Sequence, residues 1–507
     1  MTATQLPALI QQMLQPGFYP HTIIEPIQLI QTHVSYVLLT GEYVYKLKKP
    51  VDFGFLNYST LEKRQHFCAE EIRLNQRGAA SLYLEVLPIT QTEDQFALNG
   101  TGTVVDYAVK MKQFPQTALL SSQFEQGKLT GSRLRELAQI VAEFHAKSDS
   151  NSYINRFGEI AQVRAAIDEN YEQTTQYIGG PQTQQQFDQT KQYTDQFLAQ
   201  RQSLFTQRIQ QGNIRECHGD LHLGNICYWQ DQILPFDCIE FNEPFRYVDV
   251  MYDVAFVVMD LQARQRPDLS NVFLNEYVEQ TGDWEGLQVL PLYISRQAYV
   301  RAKVTSFLLN DPTVPEAKTL EAAETAALYY RLAWRVTQPN QGKLILMTGL
   351  SGSGKTTVAR NLASHIAAIH IRSDAVRKHL AGLPLHERGN SDLYTAEMGE
   401  KTYNRLLDLG MMLASQGYPV ILDAKYDRQV RRQLAIAQAQ TAQIPLEIYH
   451  CTAPQEVLQS RLQQRQDISD ATPEILAQQS WEAFTDLEQP YVKTVDTTQD
   501  LAEQLGL

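Results

Sequence analysis

The stretch Gly349-Leu-Ser-Gly-Ser-Gly354-Lys355-Thr356-Thr357 constrains this chain more than any other. Gly, four residues and Gly-Lys-Thr follow an apolar strand, Leu344 to Met347, and open a helix at about Thr356. Glycines so spaced let backbone N–H groups turn inward around a phosphate, at a helix N-terminus whose dipole favours anions. Gly349, Ser351, Gly352, Ser353, Gly354, Lys355, Thr356 and Thr357 are therefore the expected nucleotide contacts. Lys355 should reach the β- and γ-phosphates, and Thr356 should also hold Mg2+. Beyond it, strand signals near Ile369, at Val420 to Leu422 and at Leu446 to Tyr449 alternate with helical runs. That rhythm predicts an α/β P-loop domain with a parallel sheet.

Chemistry-bearing residues follow at the strand ends. Ile371-Arg-Ser-Asp374-Ala-Val-Arg377 comes after a short apolar strand, so Asp374 and Arg377 are expected at the sheet's C-terminal edge, where α/β sheets bind ligands. A carboxylate there can accept a hydroxyl proton, and a guanidinium can grip an anion. Asp374 is equally placed to cap the helix after it. Val420-Ile-Leu-Asp423 repeats the geometry, with Asp423 serving the Mg2+ shell or touching substrate. Arg428, Arg431 and Arg432 form a basic cluster beyond it, of which Arg428 is the acceptor-binding candidate. Arg461 and Arg465 lie four apart on a predicted helix, 454–464, and so share a face.

The polar segment Thr337-Gln-Pro-Asn-Gln-Gly342 divides the chain into 1–336 and 343–507, with 337–342 as linker. The first part opens with a hairpin, Val34 to Leu39 and Tyr43 to Leu47 about Thr40-Gly-Glu. Ser59-Thr-Leu-Glu62 fits a capping box for a helix ending near Gly78. Strands follow at about 85–89 and 104–111, and the pattern is mostly helical from Ser132. A small sheet with one helix ahead of a helical region is an α+β arrangement.

Within it stands His218-Gly-Asp220-Leu-His-Leu-Gly-Asn225, then Leu234-Pro-Phe-Asp237. An Asp, an Asn five positions on, and a second Asp after an apolar strand is the set that phosphoryl transfer uses. Asp220 is the expected base or acceptor-orienting group, Asn225 and Asp237 the Mg2+ ligands, and His218 a buttress.

This stretch, with Asp249 and Asp253 beyond it, resembles the aminoglycoside phosphotransferase and choline kinase-like family. The resemblance implies a protein-kinase-like, two-lobed fold over most of 30–330, with ATP in the cleft. It makes Lys46 the α/β-phosphate lysine, with Glu70 or Glu71 as its partner, Glu70 being preferred. No Gly-x-Gly-x-x-Gly loop is present. Residues 342–490 resemble the zeta-toxin, gluconate-kinase, adenylylsulfate-kinase and polynucleotide 5′-kinase group, which implies that Arg461 and Arg465 are lid arginines. The domain order resembles bacterial bifunctional aminoglycoside phosphotransferase/ATP-binding proteins.

The bulk numbers narrow the partners. A net charge of −13, with no basic excess after residue 342, argues against long nucleic acid. Five scattered cysteines without a Cys-x-x-Cys pair read as reduced and buried, with no zinc site. The absence of a signal-like N-terminus or a membrane-length apolar run points to a cytoplasmic protein. The expectation is an ATP- and Mg2+-dependent phosphotransferase acting on a hydroxyl of a small metabolite. The alternatives are a nucleotide-sensing regulator with one inactive domain, or a toxin-like kinase restrained by its own N-terminal domain.

Overall fold

A computed structural model describes residues 6–23, 26–312, 314–389, 391–464, 468, 476 and 479–506. They group into two compact units that interleave in sequence. The first comprises Met1–Leu129, Glu143–Glu169 and Leu198–Val257; the second comprises Thr130–Ala142, Asn170–Phe197 and Val258–Leu507. Compactness thus divides the chain differently from the polar seam, since residues 258–336 group with the P-loop sheet.

The first unit is built on an antiparallel sheet of β1 (Gln28–Gln31), β2 (Ser35–Leu39), β3 (Tyr43–Lys48), β4 (Tyr83–Thr92), β5 (Gln95–Leu98) and β6 (Thr103–Lys112). Its order is β1-β2-β3-β6-β4-β5. Alternation along β3 decides what faces what. Tyr45 and Leu47 join an apolar cluster with Ile10, Met13, Leu38 and Leu87. Val44 packs on the other face with Cys68 and Ala79 of helix α1 (Leu61–Ala79). Lys46 and Lys48, two and four residues from Val44, therefore face α1. The helix is capped by Thr60, whose side chain accepts from Lys63 N–H, rather than by Ser59. A short hairpin completes the unit's working parts: β7 (Ile214–Glu216), then β8 (Ile226–Trp229) against β9 (Gln232–Pro235), and β10 (Tyr247–Asp249), which pairs with β7. The sheet, α1 and this hairpin make a protein-kinase-like fold.

In the second unit, helix α2 (Pro267–Thr281) precedes a parallel sheet of β11 (Lys343–Thr348), β12 (Ile369–Arg372), β13 (Pro419–Asp423), β14 (Leu446–Thr452) and β15 (Val492–Asp496). The order β12-β13-β11-β14-β15 puts the strand that comes first in the sequence at the centre and β12 at an edge. Helices α3 (Lys355–Ile366), α4 (Ser373–Leu380), α5 (Ala396–Ala414), α6 (Gln429–Thr441) and α7 (Gln455–Gln463) connect or follow the strands. Ile345, Met347 and Ile421 pack against Val358, Leu362 and Ala363 of α3, which seats the phosphate loop on the sheet. The five cysteines are buried and unpaired. Among the described residues, no helix is long and apolar enough to cross a membrane.

Candidate functional sites

In the first unit, Lys46 Nζ lies 2.8 Å from Glu71 Oε1 and 2.7 Å from Asp237 Oδ1. The lysine's partner is thus Glu71, not Glu70. The buried face of α1 runs through Arg64, Cys68, Glu71, Leu74 and Asn75, at helical spacing. Glu70 falls to the side of that face and binds Arg73 instead, at 2.8 Å. Glu71 Oε2 also meets Lys48 Nζ at 2.6 Å, and Lys48 in turn contacts Glu240. Burial pushes the Glu71 carboxyl up, but the two ammonium groups outweigh it and hold it down at about 2. Lys48 and Glu240 escaped the sequence reading. The signal available was their spacing: Lys48 is two residues from Lys46, and Glu240 three from Asp237.

The hairpin supplies the remaining groups. Asn225 Nδ2 donates to the Asp220 backbone oxygen at 3.0 Å and to its Oδ2 at 3.1 Å. His218 is wholly buried and bonds the Phe236 carbonyl at 2.8 Å, tying the two arms of the hairpin together. Asp253 braces the loop from below, accepting from His218 N–H at 2.7 Å and Gly219 N–H at 2.9 Å. Gly219 has φ +88°, and a Cβ there would lie 2.7 Å from the Phe245 oxygen, so no other residue fits. Asp253 also meets His145, and these two with Cys217 bring their ligand atoms within 4.8 Å. The amide bonds give that carboxylate a loop-holding function already. Asp237 has φ +64°, a conformation Asp tolerates better than most residues, and its N–H donates to Tyr83 Oη at 3.1 Å. Lys46, Asp220 and Asp237 line one cavity of about 410 Å3 with Val37, Val44, Met111 and Phe114.

In the second unit the phosphate loop closes around Gly349, whose φ of +135° brings it so near Cys451 that a Cβ would lie 2.4 Å from its carbonyl oxygen. Lys355 Nζ donates to the carbonyls of Gly349 and Leu350, at 2.9 and 2.8 Å. Ser353 Oγ is buried and makes no hydrogen bond among the described residues, so a donor in the loop stands ready for an anion. Thr356 Oγ1 donates to Asp423 Oδ2 at 2.7 Å, and His370 Nε2 lies 3.1 Å from the same oxygen. Burial raises the Asp423 carboxyl, yet the His370 bond and charge, with Arg372 and Lys355, hold it well below the usual carboxylate range. Hydroxyl and carboxylate oxygens side by side are a donor set for a hard cation such as Mg2+, and the amide oxygen of Asn225 and the carboxylate of Asp237 are ligand types of the same kind.

Asp374 and Arg377 do reach the same cavity, of about 640 Å3, together with Gly352, Gly354, Thr357 and Asp423. Asp374 is the second residue of α4 and makes no capping bond; Arg372 occupies the cap position. Arg377 donates weakly to Asp374 at 3.3 Å and stands over the Tyr394 ring, and its buried Nε has no hydrogen-bond partner among the described residues. Arg428 is exposed and lines the cavity. The basic cluster around it divides: Arg431 lies over Tyr403 and binds Glu400, while Arg432 is fully buried against Glu488 at 2.7 Å and is structural. Arg461 grips the loop itself, donating to Gly352 O at 3.4 Å and Thr497 Oγ1 at 2.8 Å. Arg465 lies outside the described residues. Sequence reasoning missed Gln479, which clamps Ser351 through two hydrogen bonds, and His370, a polar residue inside an apolar strand.

The family model described as AAA domain matches residues 344–487. Aminoglycoside 2′-phosphotransferase-IIIa, solved as a GDP complex, is 12% identical over 64% of this chain and 98% of its own, with a TM-score of 0.40. A gluconokinase from Sinorhizobium meliloti is 20% identical over 33% of this chain and 89% of its own, with a TM-score of 0.25. Rv2004c of Mycobacterium tuberculosis H37Rv, described as an uncharacterized protein, is 30% identical over 458 residues, 89% of each chain. A likeness of that extent spans both sites, and the chain belongs to the same family as Rv2004c.

Proposed function

We propose that the chain is an ATP- and Mg2+-dependent phosphotransferase with two nucleotide sites, at least one of which phosphorylates a hydroxyl of a small metabolite. The observation that carries this reading is the repeated pairing of a lysine with a metal-competent oxygen set inside one cavity. It occurs once at Lys46, Asp220 and Asp237, with Asn225 bonded to Asp220, and again at Lys355, Thr356 and Asp423. Mg2+, when bound at either set, neutralises phosphate charge and orients the transferred group.

In the first site Lys46, fixed by Glu71, binds the α/β-phosphates, and Asp220 accepts the acceptor's proton. In the P-loop site the loop amides, Lys355 and Thr357 hold the nucleotide. Asp374 is the base, because it faces the cavity and carries no metal-side partner. Asp423 is committed to Thr356 and His370, which supports its assignment to the metal. Arg377 and Arg428 orient the acceptor. A soluble cytoplasmic setting and a partner other than long nucleic acid fit the charge.

The test is nucleotide stoichiometry by calorimetry. Wild type is expected to bind two ATP, and Asp237→Ala and Lys355→Ala one each. Unchanged stoichiometry in either variant removes that site from the reading. A metabolite extract with γ-labelled ATP, run on both variants, then assigns the acceptor to a site.

A further inference from the structure

We propose that Asn275, on helix α2, is a positioning residue for the P-loop site. It pairs with the open edge of β12 as a missing strand would, and so holds His370 where it braces Asp423. The inference rests on the reading of Thr356 and Asp423 as the Mg2+-holding pair.

Among the described residues β12 bonds β13 on one side only, which leaves its outer N–H and C=O groups without a strand. Asn275 fills that role with one side chain. Its Oδ1 accepts from His370 N–H at 2.7 Å, and its Nδ2 donates to Ala368 O at 2.9 Å. Asn271, one turn earlier, donates to the same carbonyl at 2.9 Å and accepts from Asn275 Nδ2 at 2.9 Å, which fixes the amide's orientation. One turn later Glu279 meets Arg372 at 3.3 Å. The spacing of four puts all three on one face of α2. Further on, the Glu279 carbonyl bonds His379 of α4 at 2.8 Å, and Gly282 lies so close that a Cβ would stand 2.9 Å from that ring. Helix α2 therefore holds both ends of the strand–helix piece that carries His370, Asp374 and Arg377.

The energetic argument is one of register. A strand edge satisfied by solvent can shift; one satisfied by two short bonds from a half-buried amide cannot shift without breaking both. His370 Nε2, 3.1 Å from Asp423 Oδ2, depends on that register, and partners at one remove from a metal set its affinity. Asn271, Asn275, Glu279 and Gly282 all lie outside residues 344–487, where the AAA-domain match falls.

The experiment titrates Mg2+ against binding of a fluorescent ADP analogue, using the full chain with Asp237→Ala so that only the P-loop site reports. Asn275→Ala is expected to raise the half-saturating Mg2+ concentration by roughly tenfold or more. Affinity for the analogue in EDTA should stay at the parental value. His370→Ala should give a similar shift, and the double variant should be no worse than His370→Ala by more than about twofold. Asn275→Asp, which keeps an acceptor for the His370 N–H, should bring the requirement back toward the parent. The proposal is overturned if Asn275→Ala leaves the Mg2+ dependence unchanged, loses affinity equally with and without Mg2+, or multiplies the effect of His370→Ala. Asp423→Asn separates the two levels. If it too leaves the Mg2+ dependence unchanged, the metal reading falls and this inference with it; if it shifts while Asn275→Ala does not, the inference alone falls.

Discussion

Glu71 joins two lysines through its two oxygens, Lys46 at 2.8 Å and Lys48 at 2.6 Å. It is completely buried, so its removal leaves two ammonium groups short of a counter-charge. Glu71→Gln should destabilise the first unit by about 3 kcal/mol or more, the scale of breaking a buried pair. Glu70→Gln disturbs a partly exposed pair with Arg73 and a long one, 4.0 Å, with Arg246, and should cost about 1 kcal/mol or less. Urea unfolding of the two variants distinguishes them.

The same group sets an acid response. Its carboxyl sits at about 2 in the folded chain against an ordinary 4.5. A depressed value contributes stability that is fully present above the unfolded value and is lost as pH falls through the folded one. Between those limits wild type should lose about 1.4 kcal/mol per pH unit through this group. Glu71→Gln should show a shallower slope in urea midpoints measured across that window.

Asp374→Asn should leave ATP affinity at the P-loop site nearly intact and slow transfer by roughly 10²-fold or more. Lys355→Ala should weaken binding and turnover together, because it removes a phosphate contact. Single-turnover kinetics with labelled ATP give both quantities. If Asp423→Asn abolishes transfer with Mg-ATP binding intact while Asp374→Asn is near normal, the two carboxylates exchange roles.

Arg428 and Arg432 are four residues apart and should behave oppositely. Arg428→Ala should raise the acceptor KM with little change in folding. Arg432→Ala strands Glu488 in the interior and should cost about 3 kcal/mol or more. Denaturation curves and acceptor kinetics, taken together, read out the contrast.

What was legible in the sequence was local. The phosphate loop, the Asp220–Asn225 turn and the strand-end aspartates each announce themselves within a few residues, because backbone geometry and ligand spacing are set there. Glu71 over Glu70 was a matter of one helical position, about 100° of rotation, and needed the identity of the buried face. Lys48 reads as one more surface lysine until its partner Glu240, 192 positions away, is seen beside it. His370, Gln479 and Asn275 act through partners on other elements, and no spacing rule connects them. The strands at Gln28–Gln31, Gln95–Leu98 and Val492–Asp496 went unread because they are short sheet margins with mixed polarity.

The amide pair that Asn275 lends to β12 also bears on how the molecule can be cut. A fragment beginning at β11 would carry its sheet with the Ala368 carbonyl and His370 N–H bare at an edge. Unpaired strand margins of that kind template association with further copies. Such a fragment should self-associate through β12, and a soluble P-loop piece needs to begin upstream of Pro267, with its own helix still in place.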